Sequence, residues 1–135
     1  MKKIITNSFL AGLLFMSVQA FSQSSNEKFL ASTSHPITVM ADQGGIKASY
    51  MQGNMGTTPA ISIIFQNKLH STAKFSWVVK NNSGTVIYTS PTVSIDADQS
   101  LYEDNKPANS NLQFIYTLNN GMVATDYKVE ITIVQ

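Results

Sequence analysis

The sequence predicts an all-β domain, an antiparallel sandwich of seven or eight strands following an N-terminal export signal. Three observations carry that expectation. Apolar residues alternate with period two through most of residues 36–135. The alternating runs are separated by Asn, Gly, Asp and Pro, the residues that turns require. No run with helical spacing exceeds two turns.

The first element is the signal. Lys2 and Lys3 precede an apolar stretch from Phe9 to Val18, and small residues follow at Ala20 and Ser22. That order describes a secretory signal peptide. Its apolar core is half the roughly twenty residues that a helix needs to cross a bilayer, so it is expected to be cut off. Cleavage fits after Ala20 or after Ser22; the second defines residues 1–22 as the signal. The chain has no cysteine, which removes both a lipid attachment point and a disulfide framework. An exported domain of this size without disulfides fits the bacterial periplasm or extracellular space.

Residues 23–35 are polar and rich in serine, as expected of a leader, and the folded domain is expected over 36–135. Candidate strands are Ile37 to Ala41, Ile46 to Tyr50, Ile61 to Phe65, Thr72 to Lys80, Val86 to Tyr88, Val93 to Ala97, Leu112 to Leu118 and a last run from Tyr127. That last run shows the pattern best: Tyr127, Val129, Ile131 and Ile133 alternate with Lys128, Glu130 and Thr132. The expected turns are Asp42 to Gly45, Gly53 to Gly56, Asn81 to Gly84, Ser90-Pro91 and Asn119 to Gly121. Trp77, inward on a mid-chain strand, and Tyr127, opening a late strand, make the expected sandwich immunoglobulin-like, without the cysteine pair of antibody domains.

Charge narrows the function. The formal net charge is +1, every cation is lysine, and loss of Lys2 and Lys3 takes the mature chain to about −1. Phosphate and base recognition draw on arginine and a basic excess, so nucleic acid is not an expected partner. Neither is a membrane surface, and no second apolar run is long enough for membrane insertion of the mature chain.

Chemistry-bearing residues are sparse. His35 falls in the leader and His70 in the Asn67 to Ser71 turn, neither beside a nucleophile and an acid, so no catalytic constellation can be assembled. No cofactor is implied. Asp96, Asp98 and Ser100 alternate, with Glu103 and Asp104 following, in partial likeness to a calcium loop. The glycine that such a loop needs is missing, which favours a solvated connection. Asn81-Asn82-Ser83 matches a glycosylation acceptor but reads as a hairpin turn. Met51 and Met55 flank a glycine, either covering the core or offering an adaptable contact.

The alternation assigns Ile64, Val78, Ile87, Ile115 and Val134 outward. Together they would give one sheet an apolar outer face, a candidate protein-binding face. The C-terminal strand is a candidate free edge, able to accept a partner's strand.

The later half of the chain adds a resemblance. Phe75-Ser76-Trp77-Val78-Val79-Lys80 leads through an Asn-Asn-Ser-Gly turn to Thr85-Val86-Ile87-Tyr88-Thr89-Ser90. Val93-Ser94-Ile95 and Asp98-Gln99-Ser100 follow, and Asp126 to Thr132 closes the run. In strand rhythm and turn placement residues 75–132 resemble the small exported sandwich chaperones of curli-type amyloid systems, some of which carry cysteines that this chain lacks. The resemblance implies a protein that inhibits premature fibre growth. The expected function is thus a non-enzymatic exported binding domain acting through a sheet face or edge strand. The alternatives are a structural or adhesive surface component, or an inhibitor of an exported hydrolase presenting the Met51 to Pro59 loop.

Overall fold

A computed structural model describes residues 27–135, so the expected signal peptide, residues 1–22, lies outside the described residues. Two ten-residue strands, β3 (Ile46–Met55) and β4 (Thr58–Asn67), pair along their whole length, from Ile46 opposite Asn67 to Met55 opposite Thr58. Gly56 and Thr57 alone form the turn, and Gly56 takes φ +60°, a conformation that a two-residue hairpin demands and that glycine adopts without penalty. The pairing buries Ala48, Tyr50, Ile61, Ile63 and Phe65 on one face.

The β3–β4 hairpin is the centre of a six-stranded antiparallel sheet. β1 (Phe29–Ala31) and β2 (Thr38–Gln43) share the outer edge of β3, β2 along Ile46 to Tyr50 and β1 along Gly53 to Met55. β8 (Ser100–Leu101) and β9 (Ile115–Thr117) share the far edge of β4. The second sheet has four strands around β5 (Ala73–Lys80). β10 (Lys128–Val134) pairs with one side of it, while β6 (Val86–Thr89) and β7 (Val93–Ile95) divide the other. The two antiparallel sheets pack as a sandwich.

The interior is an aromatic stack. Trp77 is 1% exposed, with its ring 4.3 Å from Phe65, 5.6 Å from Phe114 and 5.9 Å from Phe75. Removing such rings from water stabilises the fold by about 1.5–3 kcal/mol each, and ring packing adds roughly 0.5–1.5 kcal/mol per pair. Trp77 is also tied by its backbone. Its N–H donates to Ser90 Oγ at 2.8 Å, and its carbonyl accepts from the Ser90 N–H at 2.9 Å.

Several sequence expectations need correction. The described chain has ten strands rather than seven or eight, because β3, β4 and β5 each have an edge filled by two short pieces. β1 lies inside the polar leader, held because Phe29 reaches across Gly53. Gly53 to Met55 is strand, not turn, since a glycine can sit in a ladder where another chain crosses closely. β7 ends at Ile95 rather than Ala97: Asp98 takes φ +59°, and the chain leaves one sheet for the other to form β8, which alternation did not reveal. Only Ile115 to Thr117 of the Leu112 to Leu118 run is strand, although the Phe114 carbonyl still accepts from the Ile63 N–H at 2.8 Å.

Candidate functional site

Strand registers place every outward residue. Ile64, Val78, Ile115 and Val134 are half-buried, and Ile87 is exposed. They do not form one face. Ile64 and Ile115 lie on the six-stranded sheet, whereas Val78, Ile87 and Val134 lie on the four-stranded sheet, on the opposite side of the molecule. The reason is connectivity: β4 and β5 are consecutive in sequence but belong to different sheets.

The two outer faces differ in chemistry. On the four-stranded sheet, Lys128 stands opposite Lys80, and Glu130 opposite Val78. Lys80 Nζ reaches Glu130 Oε2 at 2.9 Å, so Val78 is surrounded by charge. Val134 faces Lys74. Ile87 is the extra residue where the β5–β6 register slips between Val79 and Lys80, a bulge that leaves it at the sheet margin.

Across the six-stranded sheet, successive register rows read Val39, Ser49, Ile64; then Met51, Ser62, Ile115; then Ala31, Gly53, Ala60, Thr117; then Phe29, Met55, Thr58. No charged side chain stands in these four rows. Charge borders these rows at both ends: Asp42 and Lys47 face each other beside Gln66, and Glu27, Glu103 and Lys106 flank Met55 and Ile115 at the hairpin end. Ser49, Ser62, Gly53 and Ala60 are buried in the middle of the face, and Phe29, Met51, Met55, Ile64 and Ile115 around them are half-buried. Sequence reasoning found Ile64 and Ile115 from alternation. It gave Met51 and Met55 to a loop, and it missed Phe29 because three strand residues in a polar leader carry no period.

At the hairpin end the face runs into a trough. Two adjoining depressions of about 380 and 480 Å³ share Glu27, Met55, Glu103 and Ile115. Glu103 Oε2 is 2.7 Å from Lys106 Nζ.

The remaining sequence candidates do not converge. Asp96 Oδ1 accepts from Thr72 Oγ1 at 3.3 Å, Asp98 Oδ2 is 3.3 Å from His70 Nδ1, Glu103 pairs with Lys106, and Asp104 is exposed. Among the described residues no group of three or more His, Asp or Glu side chains is placed to hold a metal ion. His35 is exposed, with Nδ1 within 3.3 Å of the Ser32 and Ser34 hydroxyls. Asn81 is a turn residue whose Oδ1 accepts from the Ser83 and Thr85 N–H groups at 3.0 and 2.9 Å. The Met51 to Pro59 segment is strand on both sides of Gly56 and Thr57, so it presents a hairpin tip and not a long inhibitory loop.

No protein-family model, known protein or solved structure shows a significant match to this chain.

Proposed function

We propose that this chain is an exported, non-enzymatic binding domain of immunoglobulin-like kind that holds a protein partner on the outer face of its six-stranded sheet. The observation that carries the reading is the run of four uncharged register rows across β1, β2, β3, β4 and β9. A solvated sheet face ordinarily alternates polar residues outward, as the four-stranded sheet does here with Lys74, Lys80, Lys128 and Glu130. Uncharged rows with methionine and isoleucine at the surface suit a flat apolar partner whose exact shape varies, because methionine repacks at low cost.

The partner class that fits is a polypeptide with exposed apolar β-segments, such as a fibre subunit before assembly. Segments of this kind combine high β-propensity with low charge, so an uncharged face meets them without desolvating an ion. The strand rhythm shared with curli-type chaperones supports the same reading. The role is then to delay fibre growth by covering the subunit's apolar surface.

The test is fibre growth of a curli-type subunit followed by thioflavin fluorescence, with the mature chain added well below one equivalent. A lengthened lag is expected. Ile64→Lys and Ile115→Lys should abolish it while Val78→Lys, on the charged sheet, should not. An unchanged growth curve with folded wild-type protein would reject the reading.

A further inference from the structure

A second site lies at the free edge of the four-stranded sheet. β10 pairs with β5 over seven residues, and among the described residues no backbone hydrogen bond joins it to any other strand. Which of its peptide groups are free follows from Trp77. That residue turns its N–H and carbonyl towards Ser90, on the β6 side of β5. Alternation along β5 then turns the peptide groups of Ser76 and Val78 towards β10, where Thr132 and Glu130 are their register partners. The N–H and carbonyl groups of Val129, Ile131 and Ile133 are left facing out of the sheet.

β2 runs beside this edge without bonding to it, in a seam that is closed at one end and open at the other. At the closed end the β2–β3 turn lies on Ile133: a Cβ on Gly44 would stand 2.6 Å from Ile133 Cγ1. At the open end β2 and β10 leave a slot of about 210 Å³, lined by Val39, Met40, Tyr50, Tyr127 and Lys128 with the hydroxyl-bearing Thr38 and Thr125 at its rim. That is smaller than the roughly 300–1,000 Å³ of small-molecule sites and suits a single apolar side chain. Val39 on β2 and Ile37 just before it, 55% and 60% exposed, add apolar surface beside the slot. Among the described residues Lys128 is the one charged residue lining the slot, and no carboxylate of these residues lies within ion-pair distance of it. Its ammonium donates to the Thr125 carbonyl at 3.0 Å, in contrast to Lys80 with Glu130.

We propose that this seam captures an extended peptide segment as an added strand on β10, with an apolar side chain in the slot and a neighbouring carboxylate on Lys128. Backbone bonds to Val129 and Ile131 supply sequence-tolerant affinity, and the slot and the ammonium supply preference. The site lies in the seam between the two sheets and shares only Val39 with the uncharged face, so its test does not depend on the function proposed above.

The test uses the mature chain, labelled with ¹⁵N, and a capped heptapeptide, Thr-Val-Asp-Leu-Thr-Val-Thr. Peptide should shift the Thr125 and Lys128 resonances and slow hydrogen exchange of the Val129 and Ile131 amides, leaving Ile64 and Ile115 unmoved. Methylating alternate backbone nitrogens of the peptide should remove binding. Lys128→Glu, at an exposed position, should keep the melting temperature and weaken the aspartate peptide roughly fivefold while favouring a lysine-for-aspartate version, the size expected of one exposed ion pair. Thr125→Trp, which fills the slot, should weaken both peptides. The proposal is overturned if the methylated peptide binds equally, if the two charge versions are indistinguishable, or if no β10 amide responds. Protection of β10 that grows with protein concentration in the absence of peptide would assign the edge to a second copy of the chain and overturn it too.

Discussion

Asn67 and Ile95, 28 positions apart, are joined by a buried hydrogen bond in which Asn67 Nδ2 donates to the Ile95 carbonyl at 3.0 Å. The same amide donates to the Ser71 and Asp96 carbonyls at 2.8 and 3.2 Å, and its Oδ1 accepts from the Leu69 N–H at 2.9 Å. Asn67 is 0% exposed at the end of β4, so one side chain ties the link between the sheets to the end of β7. Replacing it with leucine leaves buried carbonyls without donors. We expect Asn67→Leu to cost about 2–4 kcal/mol in urea unfolding, since each orphaned buried group costs roughly 1–3 kcal/mol. Asn67→Asp should cost at least as much, because it replaces the donor with an acceptor against three carbonyls. A loss below about 0.5 kcal/mol, within the range of ordinary surface substitutions, would show that the turn holds without this pin.

Trp77 makes a different kind of prediction. Its ring is enclosed by four aromatic neighbours, yet among the described residues its buried Nε1 has no hydrogen-bond partner. An unpaired indole N–H contributes desolvation cost and no bond. Trp77→Phe should therefore cost less than a tryptophan deletion of this depth suggests, about 1–2 kcal/mol, whereas Trp77→Ala should cost about 3–5 kcal/mol. Urea unfolding followed by far-UV circular dichroism measures both. A Trp77→Phe penalty equal to that of Trp77→Ala would mean that the indole nitrogen is bonded.

What was legible in the sequence follows from how much each feature depends on local pattern. The inward registers of β3, β4, β5 and β10 are period-two signals, and Ile46, Phe65, Trp77 and Val129 are buried as alternation requires. Alternation also turned Ile64 and Ile115 outward correctly. It could not say which sheet a strand joins, because that is decided by connections such as the Asn67 pin, so residues on opposite faces read as one surface. Short pieces escaped for a related reason. β1 and β8 are three and two residues long, too short to show a period, and are held by partners distant in sequence. The seam beside β10 is a tertiary gap between two well-formed strands, with no local signature.

Gly53 tests the attachment of β1. A Cβ at this position would clash with the Leu30 carbonyl oxygen and stand 2.7 Å from Phe29 Cζ. The backbone oxygen cannot swing away as a side chain can, so Gly53→Ala should lift β1 from β3 and withdraw Phe29 from the uncharged face. Because β1 pairs through three residues only, the loss should be local. Hydrogen-exchange protection should disappear at Leu30, Ser32 and Asn54, which bond across β1 and β3, and persist at Gly53 and Met55, which bond to β4, and throughout β4 and β5. Uniform loss of protection across both sheets would instead make β1 an integral part of the global fold.

Tyr116 and Tyr127 should make the fold lose stability at alkaline pH. Their rings lie 5.3 Å apart; the Tyr116 hydroxyl donates to the Gln113 carbonyl at 3.0 Å, and the Tyr127 hydroxyl donates to the Thr117 carbonyl at 2.7 Å. Burial pushes the Tyr116 phenol well above its ordinary range, and the neighbouring Tyr88 and Tyr127 push it further; burial also raises Tyr127. The neutral phenol is thus the form that the fold prefers. A raised folded-state pKa gives stability that is fully present below the unfolded value of about 10 and declines as pH rises above it, because the unfolded chain releases the proton first. Stability should be flat in this respect through neutral pH and fall above about pH 10, each such group adding at most about 1.4 kcal/mol per pH unit to the slope. Tyr116→Phe should cost about 1 kcal/mol at neutral pH by losing its hydrogen bond, and should make the alkaline decline shallower. Urea unfolding between pH 8 and pH 11.5 checks both effects. An alkaline slope that Tyr116→Phe leaves unchanged would place the destabilising ionisation elsewhere.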